Sequence, residues 1–125
     1  MEERLVLLVE DDESLRGLYV KILEDAGIKT MVTSSGHEAV SIALEHHPDV
    51  IVMDVMLPDI SGHDAVKKIR FDSWGKKAKV VYLTNRSDAE SVTEAVSHGS
   101  DEYIIKAHVD NQEFLNAIRS TMVAE

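Results

Sequence analysis

At 125 residues, 44% of them hydrophobic and 29% charged, the chain has the size and composition of one globular domain able to bury a core. It contains no cysteine, which excludes disulfides and thiolate-held metals. A formal charge of −10 sets the surface against phosphate backbones and anionic lipid, so direct binding of nucleic acid or membrane is not expected.

Apolar runs and helix-period stretches alternate along the chain. The first run, Leu5 to Val9, is cut off by Glu10, Asp11 and Asp12. It is too short for a signal peptide or a spanning helix, so a cytoplasmic protein is expected. Predicted strands cover residues 4–9, 28–32, 49–54, 79–83 and 102–105. Three of these runs are continuously apolar, as strands covered by helices on both faces should be.

The first predicted helix carries Leu15, Leu18, Ile22 and Ala26 on one stripe and stops at Gly27, a left-handed cap. The second opens with a capping box, Ser35 to Glu38, carries Ala39, Val40, Ala43 and Leu44, and ends before Pro48. A third runs over about 62–71 with Ala65, Val66 and Ile69 inward. The fourth starts with a second box, Ser87 to Glu90, and ends at Gly99. The fifth starts near Asp110 and packs through Phe114, Leu115, Ile118 and Met122. Five βα units in succession predict a doubly wound α/β domain, a parallel sheet with helices on both faces. No linker or repeat divides the chain.

In open α/β sheets, ligands bind beyond the carboxyl ends of the strands. The first strand ends in Glu10-Asp11-Asp12, the third in Asp54, the fourth in Thr84 and the fifth in Lys106. Parallel strands bring all of these to one edge. Clustered carboxylates repel one another unless a cation sits among them. Magnesium, which takes oxygen ligands, suits Asp11 and Asp12 and leaves Asp54 as a nucleophile able to form an aspartyl phosphate. Lys106 would neutralise phosphoryl oxygens and Thr84 would donate to one. Each residue alone has a plainer reading: Asp12 as an N-cap, Asp54 as a turn residue, Lys106 as a solvated strand end. Their recurrence at successive strand ends is what favours a site.

Four segments carry a resemblance: Val-Leu-Leu-Val-Glu-Asp-Asp-Glu at 6–13, Asp-Val-Met-Leu-Pro-Asp-Ile-Ser-Gly at 54–62, Tyr-Leu-Thr at 82–84 and Tyr-Ile-Ile-Lys at 103–106. In this order they resemble a response regulator receiver domain of bacterial two-component systems, over roughly residues 4–122. The resemblance implies a flavodoxin-like (βα)5 fold with strand order 2-1-3-4-5. It implies a phosphorelay role in signal transduction, with Asp54 phosphorylated by a histidine kinase or histidine phosphotransfer protein. Asp11, Asp12, Asp54 and the backbone carbonyl of Met56 would hold magnesium, with manganese as a substitute. Thr84 and Lys106 would contact the phosphoryl group, and Tyr103 would couple to Thr84 as a switch. Met56, Asn85 and Arg86 would tune dephosphorylation, with Arg86 slowing it. The fourth helix, fifth strand and fifth helix would form the output face, open to an effector domain, a separate output protein or a second copy. Such a module catalyses only its own phosphorylation and dephosphorylation.

Two positions depart from the family pattern. Ala107 stands where a cis proline usually follows the lysine, and a cis bond to a non-proline residue costs about 2.5–4 kcal/mol. Asn85 is larger than the residue usually found after Thr84. Both keep alive a rival reading, a receiver-fold scaffold that binds proteins without phosphorylation. A flavodoxin-like cofactor binder is disfavoured, because Glu-Asp-Asp after the first strand would repel a cofactor phosphate. A kinase or phosphatase acting on outside substrates lacks a Walker loop. His46 and His47 suit a helix C-terminus, the methionines at 31, 53, 56 and 122 suit the core or site edge, and Trp74 falls at the opposite end from the site.

Overall fold

The computed structural model describes residues 4–84, 102–106 and 110–123. Within them, β1 (Leu5–Val9), β2 (Lys29–Thr33), β3 (Val50–Asp54), β4 (Val80–Thr84) and β5 (Glu102–Ile105) form one sheet in the order β2-β1-β3-β4-β5. Every pairing is parallel. The helices are α1 (Glu13–Asp25), α2 (Gly36–His46), α3 (Gly62–Arg70) and α4 (Asn111–Val123), with a short 3-10 turn at Gly75–Lys77. The predicted fourth helix, Ser87 to Gly99, lies outside the described residues, and α4 is the predicted fifth.

Alternation along the strands divides the core in two. Leu7, Val9, Ile51, Met53, Val80 and Tyr82 pack with Ala39 and Ala43 of α2 and Ala65, Val66 and Ile69 of α3. Val6, Leu8, Val50, Val52, Val81, Leu83 and Ile104 pack with Tyr19 and Leu23 of α1 and Phe114, Ile118 and Met122 of α4. Both faces of the central strands are covered, which is why their sequences are apolar without alternation.

The helix ends are set locally. Asp12 Oδ1 accepts from the Leu15 amide at 2.9 Å and caps α1, while Gly27 follows in the left-handed region at φ 79°. Ser35 Oγ accepts from the Glu38 amide at 3.1 Å, Ser61 Oγ from the Asp64 amide at 3.1 Å, and Asp110 Oδ1 from the Glu113 amide at 2.8 Å. One expectation fails on α1. Leu18, predicted on the inward stripe, is 43% exposed, and Tyr19 is buried in its place. The Tyr19 ring stacks on Phe114 of α4 at 4.4 Å, so the helix is rotated to put its larger ring inside.

At the amino ends of the strands, Trp74 stacks on His47 at 4.4 Å. They line a pocket with Arg4, Asp49, Lys77 and Lys79 at the far end from the Asp54 edge. His47 ends α2 in the left-handed region at φ 48°.

Candidate functional site

The last residues of β1, β3 and β5 and those just beyond them meet at the carboxyl edge of the sheet. Counting in steps of two extends the α1–α4 face from Val6 and Leu8 to Glu10. It also extends that face from Val50 and Val52 to Asp54, and from Ile104 to Lys106. The apolar face thus runs out into three charged residues. Lys106 Nζ donates to Asp54 Oδ2 at 3.1 Å and pairs with Glu10 Oε1 at 2.9 Å. Glu10 is fully buried and Asp54 nearly so.

Contacts with the backbone hold each of these residues in place. Glu10 Oε2 accepts from the Asp12 amide at 3.0 Å, and Arg16 Nη1 donates to the Glu10 carbonyl at 3.1 Å. Asp54 Oδ1 accepts from the Met56 amide at 3.1 Å. The Lys106 amide donates to the Thr84 carbonyl at 2.9 Å, which ties the lysine's backbone to the buried Thr84. Gly62, at the start of α3, lies against the Asp54 carbonyl so closely that a β-carbon would overlap its oxygen. That glycine sets how near α3 begins to the aspartate.

Two carboxylates face one ammonium. Burial first, then the neighbouring Asp54 carboxyl, push the Glu10 pKa up to about 7, against the opposing pull of the Asp12 amide and Lys106. Burial acts to lower the pKa of Lys106, but Glu10 and Asp54 outweigh it and hold the ammonium above the usual lysine value. The lysine stays charged, whereas burial and the neighbouring acid oppose the charged form of Glu10. A further cation would favour that form.

Asp11 is exposed beside Glu10 at the end of β1, and Met56 is 60% exposed just after Asp54. Asp12, expected as half of the metal pair, has Oδ1 engaged in capping α1, and the acid brought against Lys106 beside Asp54 is Glu10. Among the described residues no three His, Cys, Asp or Glu side chains close into a ready metal cluster. The residues expected to hold a metal would nonetheless offer only oxygen: the carboxylates of Asp11 and Asp54 and the carbonyl of Met56. That chemistry fits magnesium, which retains several waters and takes few protein ligands.

Tyr103, the expected switch residue, is the register partner of Tyr82 and stacks on it at 4.9 Å. His63 tilts against Tyr82 at 4.8 Å, so three rings link the start of α3 to β5. Asn85, Arg86 and Ala107 lie outside the described residues. Two residues at this edge lie outside the expected site set, Glu10 and His63. Glu10 was detectable from strand alternation, which places it with Asp54 and Lys106. His63 carried no local signal, since a histidine in a first helical turn is ordinarily exposed.

A family model, the response regulator receiver domain, matches residues 6–119. The chain belongs to that family, whose members act in two-component signalling. It is 34% identical over 118 residues to the polar-differentiation response regulator DivK of Brucella ovis, covering 92% of this chain and 93% of that one. The chemotaxis protein CheY4 of Vibrio cholerae superposes with a TM-score of 0.86 at 28% identity, over 96% of this chain and 99% of that one. The receiver domain of the sensor histidine kinase PA1611 from Pseudomonas aeruginosa, described with magnesium in its active-site cleft, shares the fold. Its TM-score is 0.88 at 23% identity, over 98% of this chain and 100% of that one. No helix among the described residues is long and apolar enough to cross a membrane.

Proposed function

We propose that Asp54 accepts a phosphoryl group from a histidine kinase or histidine phosphotransfer protein, in a magnesium-dependent step. The observation that carries this reading is the buried Asp54 held by Lys106 Nζ at 3.1 Å, with a second acid, Glu10, on the same ammonium. A carboxylate oxygen of Asp54 attacks phosphorus, and the donor's P–N bond breaks as the acyl phosphate bond forms. Lys106, already charged and within reach of Asp54, passes to the phosphoryl oxygens as they arrive and stabilises the charge they carry. Thr84, at the end of the neighbouring strand, donates its hydroxyl to another of those oxygens.

Asp11, Asp54 and the Met56 carbonyl are the residues that would hold magnesium, with Glu10 in the same acidic group and Asp12 a lesser candidate because it caps α1. The ion, when bound, supplies positive charge to the phosphoryl oxygens. The new dianion then draws on Thr84 and, through Tyr103, alters the face formed by the predicted fourth helix, β5 and α4. That face would meet an output protein, an effector domain or a second copy, in the cytoplasm. Met56, Asn85 and Arg86 would set the rate of dephosphorylation, which the domain itself catalyses.

Intact mass after incubation with acetyl phosphate tests this, with and without magnesium, on the wild type and Asp54→Asn. One phosphoryl adduct requiring both magnesium and Asp54 is expected. A folded wild type that takes no adduct from acetyl phosphate or from a kinase donor would favour the scaffold reading.

A further inference from the structure

The β3–α3 loop, residues 55–61, carries the Met56 carbonyl. Its base is closed by the Gly62 amide, which donates to the Val55 carbonyl at 2.9 Å, and the Val55 amide is tied to the Leu83 carbonyl at 3.0 Å. The tip of the loop is secured to a different element. Asp59 Oδ1 accepts from the Gly36 amide at 2.9 Å, and Oδ2 accepts from the His37 amide at 2.9 Å and the Ser35 hydroxyl at 2.8 Å.

Those amides belong to the first turn of α2, where no residue of the helix itself can accept from them. A carboxylate there gains both the charge-assisted bonds and the positive end of the helix dipole. The His37 and Gly36 amides accordingly hold the Asp59 carboxyl well below the usual range. An apolar contact reinforces the junction. A β-carbon on Gly36 would come within 2.6 Å of Ile60 Cγ1 and 3.3 Å of Leu57 Cδ1, so the loop is seated directly on the start of α2.

We propose that Asp59 is a positioning residue for the metal site: by fastening the loop to α2 it holds the Met56 carbonyl ready for magnesium. The inference rests on the phospho-acceptor reading above. Both oxygens of Asp59 are engaged by the start of α2, so its part at the metal site is indirect. Its effect is to remove, before binding, conformational freedom that the loop would otherwise lose on binding. A ligand supplied by a backbone carbonyl depends on this more than a side-chain ligand does, because it cannot adjust by changing rotamer.

The test compares wild type, Asp59→Asn and Asp59→Ala, each confirmed folded by far-UV circular dichroism. Magnesium affinity is measured by calorimetry and amide hydrogen exchange at Gly36 and His37 by NMR. Phosphorylation by acetyl phosphate is followed as a function of magnesium. Asp59→Ala should weaken magnesium binding about tenfold, as loss of a residue that orients a ligand does. It should also speed exchange at both amides and recover wild-type phosphorylation at saturating magnesium. Asp59→Asn, which keeps one acceptor oxygen, should fall between and decides the matter if the alanine variant does not fold. Faster exchange with unchanged magnesium affinity overturns the positioning role, and so does a rate loss that magnesium fails to restore. A wild type that neither binds magnesium nor takes a phosphoryl group overturns the phospho-acceptor reading and this inference with it. A competent wild type beside an indistinguishable Asp59→Ala overturns this inference alone.

Discussion

Glu10 and Asp54 compete for a single ammonium, and a buried pair of this kind ionises fully only at a cost in free energy. The Glu10 value of about 7 lies above its ordinary 4.5, so the folded chain binds that proton more tightly than the unfolded chain. Stability from this group is therefore complete below about pH 4.5 and is lost as the pH rises through about 7. Asp59 acts with the opposite sign in a different window. Its lowered value adds stability above the ordinary 3.8, lost as the pH falls below it. In EDTA, the wild type should lose roughly 1–3 kcal/mol of unfolding free energy between about pH 5 and about pH 8, and Glu10→Gln should remove most of that slope. Urea unfolding at several pH values measures it, and a wild-type profile as flat as the variant's would mean that Lys106 neutralises both acids.

At the level of elements, the junction of β3 and α3 has the least room for change. Gly62→Ala would drive a β-carbon into the Asp54 carbonyl and the Met53 side chain. We expect it to destabilise the fold by about 3 kcal/mol or more and to reduce phosphorylation of whatever remains folded. Thermal unfolding checks the first effect, and an unchanged midpoint would show that α3 can shift freely. The same junction shows what a sequence can and cannot disclose. The strands were legible because burial on both faces leaves unbroken apolar runs, and the caps at Asp12, Ser35 and Gly27 were legible because they are local. The stripe of α1 was not, since a period of 3.6 tolerates Leu18 or Tyr19 inward and the choice depends on Phe114, far along the chain. Asp54 and Lys106 stood out through their place at strand ends. Glu10 also stands at a strand end, but the adjacent Asp11-Asp12 pair carries the stronger metal signal, and only a count of alternate strand positions sets Glu10 beside Asp54. The bonds from Asp59 join a loop to the first turn of α2, and no pattern in either segment signals them.

Across the whole molecule, the charged site is divided between the two halves of the chain. The β1–β3 half brings Glu10 and Asp54 together, and β5, at the sheet edge, contributes the lysine from 52 residues beyond Asp54. This has a kinetic side. Contacts closed over long stretches of chain tend to form late, and interactions absent from the folding transition state act on the rate of unfolding. We predict that Lys106→Met, measured by stopped-flow in urea, unfolds faster than wild type and refolds at an unchanged rate, whereas slower refolding would place β5 in the folding nucleus. The edge strand is then a latch whose bolt is the lysine. On the proposed function, a phosphoryl group or metal that altered what that lysine holds would change the lifetime of the closed domain along with its signalling state.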